Sequence, residues 1–132
     1  MNRFVRSLAE TLEVPAPGLD DEFRALPGWC SLKAFGVLVL LENDWHAPTT
    51  VAELAGLRTV RDLLRRAFVV FAAGVLGVAP GELNGETAMG DIPAWDSVAH
   101  LRLVMEAEKA FGVAYRFEDI PRMRRLDDFL II

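Results

Sequence analysis

Residues 92–101 read IPAWDSVAHL, and residues 26–35 read LPGWCSLKAF. Both stretches place an apolar residue and Pro before a Trp-x-Ser, which is followed by apolar residues at helical spacing. The two Ser residues, Ser31 and Ser97, lie 66 positions apart. The same offset aligns Pro27–Leu64 with the chain from Pro93 onward without a gap. A gap-free match of this length predicts an internal repeat.

Each copy of the repeat is expected to form a small bundle of four helices. Upstream of the Trp-x-Ser the offset falls to 64, because LEVPAPGL (12–19) matches LGVAPGEL (76–83), so the second copy has a loop two residues longer. In the first copy Ser31 opens the second helix, a short third helix follows Thr50, and Thr59 caps the last. The first helix of that copy is indicated by apolar residues at helical spacing: Phe4, Val5, Leu8 and Leu12.

The fold class predicted is all-α, because no segment keeps the period-two alternation of a strand. We expect two four-helix bundles in tandem, residues 1–64 and 65–132. An apolar stripe runs without interruption from Val60 to Leu76 across the join. The last helix of the first bundle should therefore continue into the second as a rigid rod of about 25 Å.

The composition is that of a folded protein, with 52% apolar and 25% charged residues among 132. A net charge of −5 indicates neither nucleic acid nor anionic lipid as a partner. The single cysteine, Cys30, excludes an internal disulfide and suits a reducing compartment. The uncharged run over 67–80 is shorter than the about 20 residues of a membrane span, and no secretory signal is visible. We expect a soluble, cytoplasmic protein.

The second copy resembles an acyl carrier protein. The likeness lies in VLGVAPGEL (75–83), MGDIPAWDSVAHLRLVMEAEKAFGV (89–113) and LDDFL (126–130). It covers Phe68–Leu130, and with less specificity Arg3–Leu64. In that family an Asp-Ser-Leu/Val opens the second of four helices, and the Ser carries 4'-phosphopantetheine, whose thiol holds an acyl group as a thioester. The Trp before the Asp departs from carriers of fatty-acid synthesis and resembles specialised carriers of dedicated pathways, such as polyketide and other secondary metabolism.

The resemblance implies roles for two residues and a set of partners. Ser97 would be the attachment site, and Asp96 would help the phosphopantetheinyl transferase to engage. Acyl-loading and acyl-transferring enzymes would be the other partners, with no nucleic acid and no membrane. A phosphate group at Ser97 would be favoured, because the N-terminus of a helix offers it unpaired N–H groups and the positive end of the helix dipole. The simpler alternative is that Ser97 is only an N-cap.

An enzymatic function is disfavoured by the residues. Asp96, Ser97 and His100 could suggest a Ser-His-Asp hydrolase, but neighbouring positions of one helix do not orient a His between base and nucleophile. We expect His100 at the surface or facing a loop. The sequence has no Gly-rich phosphate loop and no metal-ligand spacing. The prediction is a non-enzymatic carrier of acyl or small hydroxyacyl cargo. An aminoacyl or peptidyl carrier and a helical interaction module without the arm remain the alternatives.

The helices after the two Ser residues differ in charge. In the second copy the solvent side is expected to carry four charged residues, either as a solvated face or as a partner surface: Arg102, Glu106, Glu108 and Lys109. In the first copy the buried stripe is predicted to consist of Leu32, Phe35, Leu38 and Val39. The opposite side is also apolar, with Val37, Leu40, Leu41 and only Lys33 before Glu42. A helix apolar on all sides should be covered, so we expect it to pack against the other copy or a partner.

Ser31 is the least determined position. Cys30 stands where the second copy has Asp96, and the charged helix face is missing. Ser31 is either a possible second attachment site in a tandem carrier, or an N-cap in a degenerate copy that acts as a support, and the loss of the Asp favours the second interpretation. Cys30 itself is expected to be a small buried hydrophobe.

Overall fold

A computed structural model describes residues 1–131 of the chain. Within those residues the regular structure consists of five α-helices and four short 3-10 helices, with two isolated backbone bridges and no β-strand. The all-α prediction is confirmed. The α-helices are α1 (Asn2–Leu12), α2 (Ser31–Trp45), α3 (Val51–Ala55), α4 (Val60–Leu76) and α5 (Ser97–Phe111). The 3-10 helices are Phe23–Ala25, Pro80–Glu82, Phe117–Arg122 and Leu126–Phe129.

The packing divides the chain into two compact units. The first unit is Phe4–Ala67, and the second joins Met1–Arg3 to the residues from Phe68 onward. The division falls inside α4, a single helix of 17 residues that runs through the predicted join. None of the helices described between residues 1 and 131 is both long and apolar enough to cross a bilayer.

The first unit is built on the apolar stripe of α1. Its buried residues are the four that the spacing predicts, Phe4, Val5, Leu8 and Leu12. The ring of Phe4 lies 5.4 Å from the ring of Trp45 at the end of α2. The short helix α3 begins with a capping box, in which the Thr50 hydroxyl accepts from the Glu53 N–H at 3.1 Å and the Glu53 carboxylate accepts from the Thr50 N–H at 3.0 Å. The Thr-rich start of this helix was readable from the sequence.

The orientation of α2 differs from the prediction. Its buried residues are Val37, Leu40 and Leu41, whereas Leu32 is 75% exposed and Phe35 is 63% exposed. The predicted buried stripe of Leu32, Phe35, Leu38 and Val39 is wrong, since Leu38 is only half-buried and Val39 is exposed. The reason is that α2 is apolar on every side, so hydropathy offers no contrast between faces from which the inward side can be selected.

The second unit has an aromatic core. Its fully buried side chains include Trp95, Phe68, Phe111 and Phe129. The Phe68 ring lies 5.3 Å from the rings of both Phe111 and Phe129, and the Tyr115 hydroxyl donates a hydrogen bond of 2.7 Å to the Phe129 carbonyl. Burial, and secondarily the charge of Glu108, raises the pKa of that hydroxyl well above its usual range, so it acts as a donor. These rings anchor the final 3-10 helix although it has only one turn.

Backbone hydrogen bonds recur in the two units at the offset of the repeat. The Phe23 N–H donates to the Arg58 carbonyl at 3.2 Å, and the Met89 N–H donates to the Arg124 carbonyl at 2.8 Å. The isolated bridges recur too, at Glu22 with Thr59 and at Ala88 with Arg125. In each unit these bonds fasten the long loop before the Ser to the start of the last helical segment.

The structure locates the two additional residues of the second loop more closely than the sequence does. At the offset of 64, the Val14 N–H donates to the Ala9 carbonyl and the Val78 N–H to the Ala73 carbonyl, each at the end of a helix. The Gly18 N–H donates to the Asp21 side chain, and the Asn84 N–H donates to the Thr87 side chain. These two bonds are equivalent at the offset of 66, so the offset has changed between the helix end and this point of the loop. The two additional residues therefore lie before Asn84, so the match of 12–19 with 76–83 holds only over its first part.

In each unit one carboxylate accepts hydrogen bonds from the backbone just before the last helical segment. Asp62 accepts from the N–H groups of Arg58 and Thr59 at 2.9 and 3.0 Å. Asp128 accepts from those of Arg124 and Arg125 at 3.1 and 2.9 Å. Burial opposes the ionisation of both carboxyls, but the backbone N–H donors and one arginine side chain each lower the pKa of both below its usual value. Their stabilising effect is thus present above about pH 4 and is lost as the pH falls through the folded-state pKa.

We predict that Asp62→Ala and Asp128→Ala each lower the free energy of unfolding by about 1 kcal/mol at neutral pH, because two N–H groups lose their acceptor. The difference from the parent chain should shrink as the pH falls below the ordinary Asp pKa of about 4, because protonation removes the acceptor. Urea unfolding followed by circular dichroism measures both effects. Asp20→Ala, at a side chain 88% exposed, is the control and should change little. An equal loss at neutral pH and below the Asp pKa would contradict the role of the charge.

Candidate functional site

The residue that caps α5 is Asp96. Its backbone is extended, and its Oδ1 accepts a hydrogen bond of 2.8 Å from the Ala99 N–H. The Asp96 carbonyl accepts the first bond of the helix, from the His100 N–H at 2.9 Å. Ser97 is therefore the first residue inside the helix, and the alternative in which Ser97 is only an N-cap is wrong.

The Ser97 side chain is exposed at the mouth of this 15-residue helix. Within residues 1–131 its hydroxyl makes no hydrogen bond to the protein. The N–H groups of Ser97 and Val98 precede the first intrahelical bond, and the positive end of the helix dipole lies at the same place. A phosphodiester on Ser97 Oγ would lie beside these groups, so the residues present fit a phosphopantetheine arm.

The loop before Asp96 is folded back on itself. The Trp95 N–H donates to the Ile92 carbonyl at 3.1 Å, and the Gly90 N–H donates to the Trp95 carbonyl at 2.9 Å. Gly90 has a φ of 95°, a left-handed conformation that favours glycine. Trp95 is fully buried, which fixes the chain immediately before Asp96 and leaves Asp96 and Ser97 at the surface.

His100 was predicted to lie at the surface or to face a loop; it is buried, so the surface position is wrong, but its ring does face Trp95 of the loop before α5. Its Nδ1 accepts from Trp95 Nε1 at 3.1 Å, and its Nε2 lies 3.3 Å from the Ile120 carbonyl. The Trp95 N–H only donates and a carbonyl only accepts, so these partners match the tautomer that carries its proton on Nε2. The ring also packs against Trp95 and Phe129, with centroids 6.0 and 5.7 Å apart. Since both nitrogens bond elsewhere, His100 is not oriented as a base for Ser97.

The first unit repeats the helix mouth, but its N-cap residue differs. α2 begins at Ser31, whose side chain is exposed, and its N-cap is Cys30, which makes no capping hydrogen bond through its side chain. Ser31 is thus not an N-cap either. Cys30 is exposed, contrary to the prediction, because an N-cap residue precedes the first turn and has no packed helix face beneath it.

A cavity of about 440 Å³ opens beside Ser31. Its lining includes Trp29, Ala34, Val51 and Leu54. Ala34 occupies the repeat position of His100. The imidazole that bridges Trp95 to Ile120 thus has no counterpart in the first unit, where Trp29 is only half-buried and its ring contacts Phe23 at 5.4 Å. The smaller side chain leaves this space open.

Both helices after the Ser expose apolar residues at equivalent positions. Leu32, Phe35 and Val39 on α2 match Val98, Leu101 and Met105 on α5, and all six are exposed. The match continues with Val51 and Phe117, which are 73% and 85% exposed. These exposed positions were not predicted from the sequence. The available signal was that four repeat-related pairs are apolar in both copies and follow the Ser at the same spacing.

The charged side of α5 is smaller than predicted. Arg102 and Lys109 are exposed as expected, but Glu106 and Glu108 are half-buried. The Glu108 carboxylate accepts a hydrogen bond of 3.0 Å from the Tyr115 N–H, so it stabilises the turn after the helix.

Comparisons with protein-family models, with curated proteins and with solved structures find no match to this chain. Function is therefore inferred from the residues and geometry of the two helix mouths.

We predict that His100→Ala lowers the free energy of unfolding by about 2–3 kcal/mol, because it opens a cavity and leaves the buried Trp95 N–H without an acceptor. Urea unfolding followed by tryptophan fluorescence measures this loss. Leu101→Ala, at an exposed position of the same helix, is the matched control and should change stability by less than about 0.5 kcal/mol. Equal effects of the two substitutions would contradict the structural role given to His100.

Proposed function

We propose that the chain is a cytoplasmic, non-enzymatic carrier that is loaded with 4'-phosphopantetheine at Ser97 and presents acyl intermediates to biosynthetic enzymes. The observation that carries this proposal is the exposed Ser97 hydroxyl at the first residue of α5, free of a capping role because Asp96 caps the helix. When bound, the group supplies a thiol that holds the acyl cargo as a thioester. The likeness of residues 68–130 to acyl carrier proteins supports the same conclusion.

The residues around Ser97 suit the display of a flexible arm. Asp96 fixes the start of the helix through Ala99 and keeps an exposed carboxylate beside the Ser, where a transferase engages it. Trp95 and His100 hold the preceding loop from inside the core. The chain thus offers a rigid attachment point beside the apolar residues Val98 and Leu101, which a partner enzyme contacts while it handles the cargo.

The proposal includes two carrier-like bundles in tandem, of which the second is the working copy. The recurrence of the hydrogen bonds at Phe23 and Met89 supports the relation between them. Ser31 has the exposure of an attachment site, but Cys30 offers no carboxylate beside it. We therefore assign loading to Ser97 and a supporting role to the first copy.

We predict that a broad-specificity phosphopantetheinyl transferase, supplied with coenzyme A, increases the intact mass of the chain by one phosphopantetheine group. Ser97→Ala should abolish the increase, because it removes the nucleophilic oxygen, while Ser31→Ala, the matched control, should leave it unchanged. Mass spectrometry of the intact protein and of its peptides provides the readout. Modification of the Ser97→Ala chain at Ser31 alone would overturn the site assignment. Absence of any uptake in the folded parent chain would favour the helical interaction module.

A further prediction separates the two roles of Asp96. Asn caps helices about as well as Asp, so Asp96→Asn should leave the free energy of unfolding within about 0.5 kcal/mol of the parent value. Loading of Ser97 should nevertheless slow markedly, because the charge that the transferase engages is gone. Initial rates of mass increase, together with urea unfolding, distinguish the roles. An unchanged loading rate would limit Asp96 to capping.

A further inference from the structure

We propose that one face of α2 is a homodimer contact, on which α2 of a second copy of this chain packs. The face, called the α2 seam here, consists of Leu32, Phe35, Val39 and Glu42. These positions follow the alternating spacing of three and four residues that characterises a seam between two helices. The three apolar side chains are exposed in the chain as it stands, including Phe35 at 63%. This inference is independent of phosphopantetheine and of Ser97.

The distribution of charge indicates that the molecule packing on the α2 seam is a second copy of this chain. From Ser31 to Leu41 the only charged residue of α2 is Lys33, whose side chain is 17% exposed and pairs at 3.3 Å with Glu13, a residue outside α2. A two-fold contact brings each patch against itself, so any charge in its middle faces the same charge on the partner. The uncharged centre of the α2 seam meets this condition.

The equivalent face of α5 does not meet the condition that the centre of a self-paired face be uncharged. Arg102 is exposed beside Leu101, and an isologous contact there would bring two guanidinium groups together. The two helices therefore share their apolar positions but differ in the ability to pair with themselves. This difference assigns self-association to α2 and leaves α5 available to other proteins.

The orientation of the contact follows from Glu42. A two-fold axis perpendicular to the helices makes the pair antiparallel, and we infer this arrangement because it places Glu42 of one copy near the N-terminal turn of α2 in the other. The carboxylate then faces the positive end of a helix dipole, which is a favourable arrangement. Glu42 is exposed and makes no ion pair within residues 1–131, whereas its α5 counterpart, Glu108, is bound to the Tyr115 N–H.

The size of the seam determines how strong the dimer is. Three apolar side chains and one carboxylate cover an area on the order of a few hundred Å², below the about 800 Å² per partner of a standard stable interface. The dimer is therefore weak and reversible. It forms at high protein concentration and dissociates on dilution.

Sedimentation velocity over a concentration series, on the chain without phosphopantetheine, tests this inference. The parent chain should shift from its monomer mass of 14.6 kDa toward twice that mass as the concentration rises. Phe35→Glu should remain monomeric over the whole series. Leu101→Glu, which makes the same change at the equivalent position of α5, should dimerise like the parent chain.

Two outcomes would overturn the inference: a parent chain that is monomeric at every concentration, or a dimer that is lost in Leu101→Glu and kept in Phe35→Glu. Circular dichroism verifies that each variant is folded, and Leu32→Lys provides a second test of the seam at a side chain 75% exposed. Glu42→Lys should weaken the dimer, and an unchanged or strengthened dimer would contradict the antiparallel arrangement. Loading at Ser97 is measured separately by mass, so failure of either proposal leaves the other in place.

Discussion

The structure depends on how a long, irregular loop is fastened in each unit. Between the first helix and the Ser, the chain has only 3-10 turns, yet it has to hold the mouth of the next helix in place. The backbone bonds of Phe23 with Arg58 and of Met89 with Arg124 accomplish this, since they tie the loop to the start of the last helical segment. Asp62 and Asp128 then accept hydrogen bonds from the N–H groups of the two residues that precede each of those segments. Without these bonds the loops would carry unpaired backbone groups into a packed interior.

The sequence predicted the elements well because local chemistry determines them. The spacing of Phe4, Leu8 and Leu12 marks α1, and the capping residues Thr50 and Thr59 mark helix starts. The faces of the helices were harder to predict. α2 is apolar around its whole circumference, so its inward side depends on tertiary packing that no local pattern records. The burial of His100 likewise depends on Trp95 and Ile120, one of which lies 20 positions away in sequence.

The placement of the candidate residues was predictable only in part. The motif places Ser97 and Asp96 at the start of a helix, but it does not tell which of them caps it; in the structure Asp96 takes the cap and leaves the hydroxyl free of that function. In the first unit the exchange of Asp for Cys removes the side-chain cap, and the exchange of His for Ala at position 34 opens the cavity beside Ser31. Two substitutions at one helix mouth thus change both its electrostatics and its packing.

The exposed apolar residues shared by the two units bear on what the first copy does besides supporting the second. Support alone does not account for Leu32 and Phe35 in water, because each exposed apolar side chain forgoes the free energy of burial and promotes aggregation. The positions match those of Val98 and Leu101 in the repeat, but the charges around them differ. The uncharged middle of the α2 face suits the proposed self-pairing, whereas the exposed Arg102 on α5 opposes it. A single repeated surface can thereby serve two different contacts in one short chain.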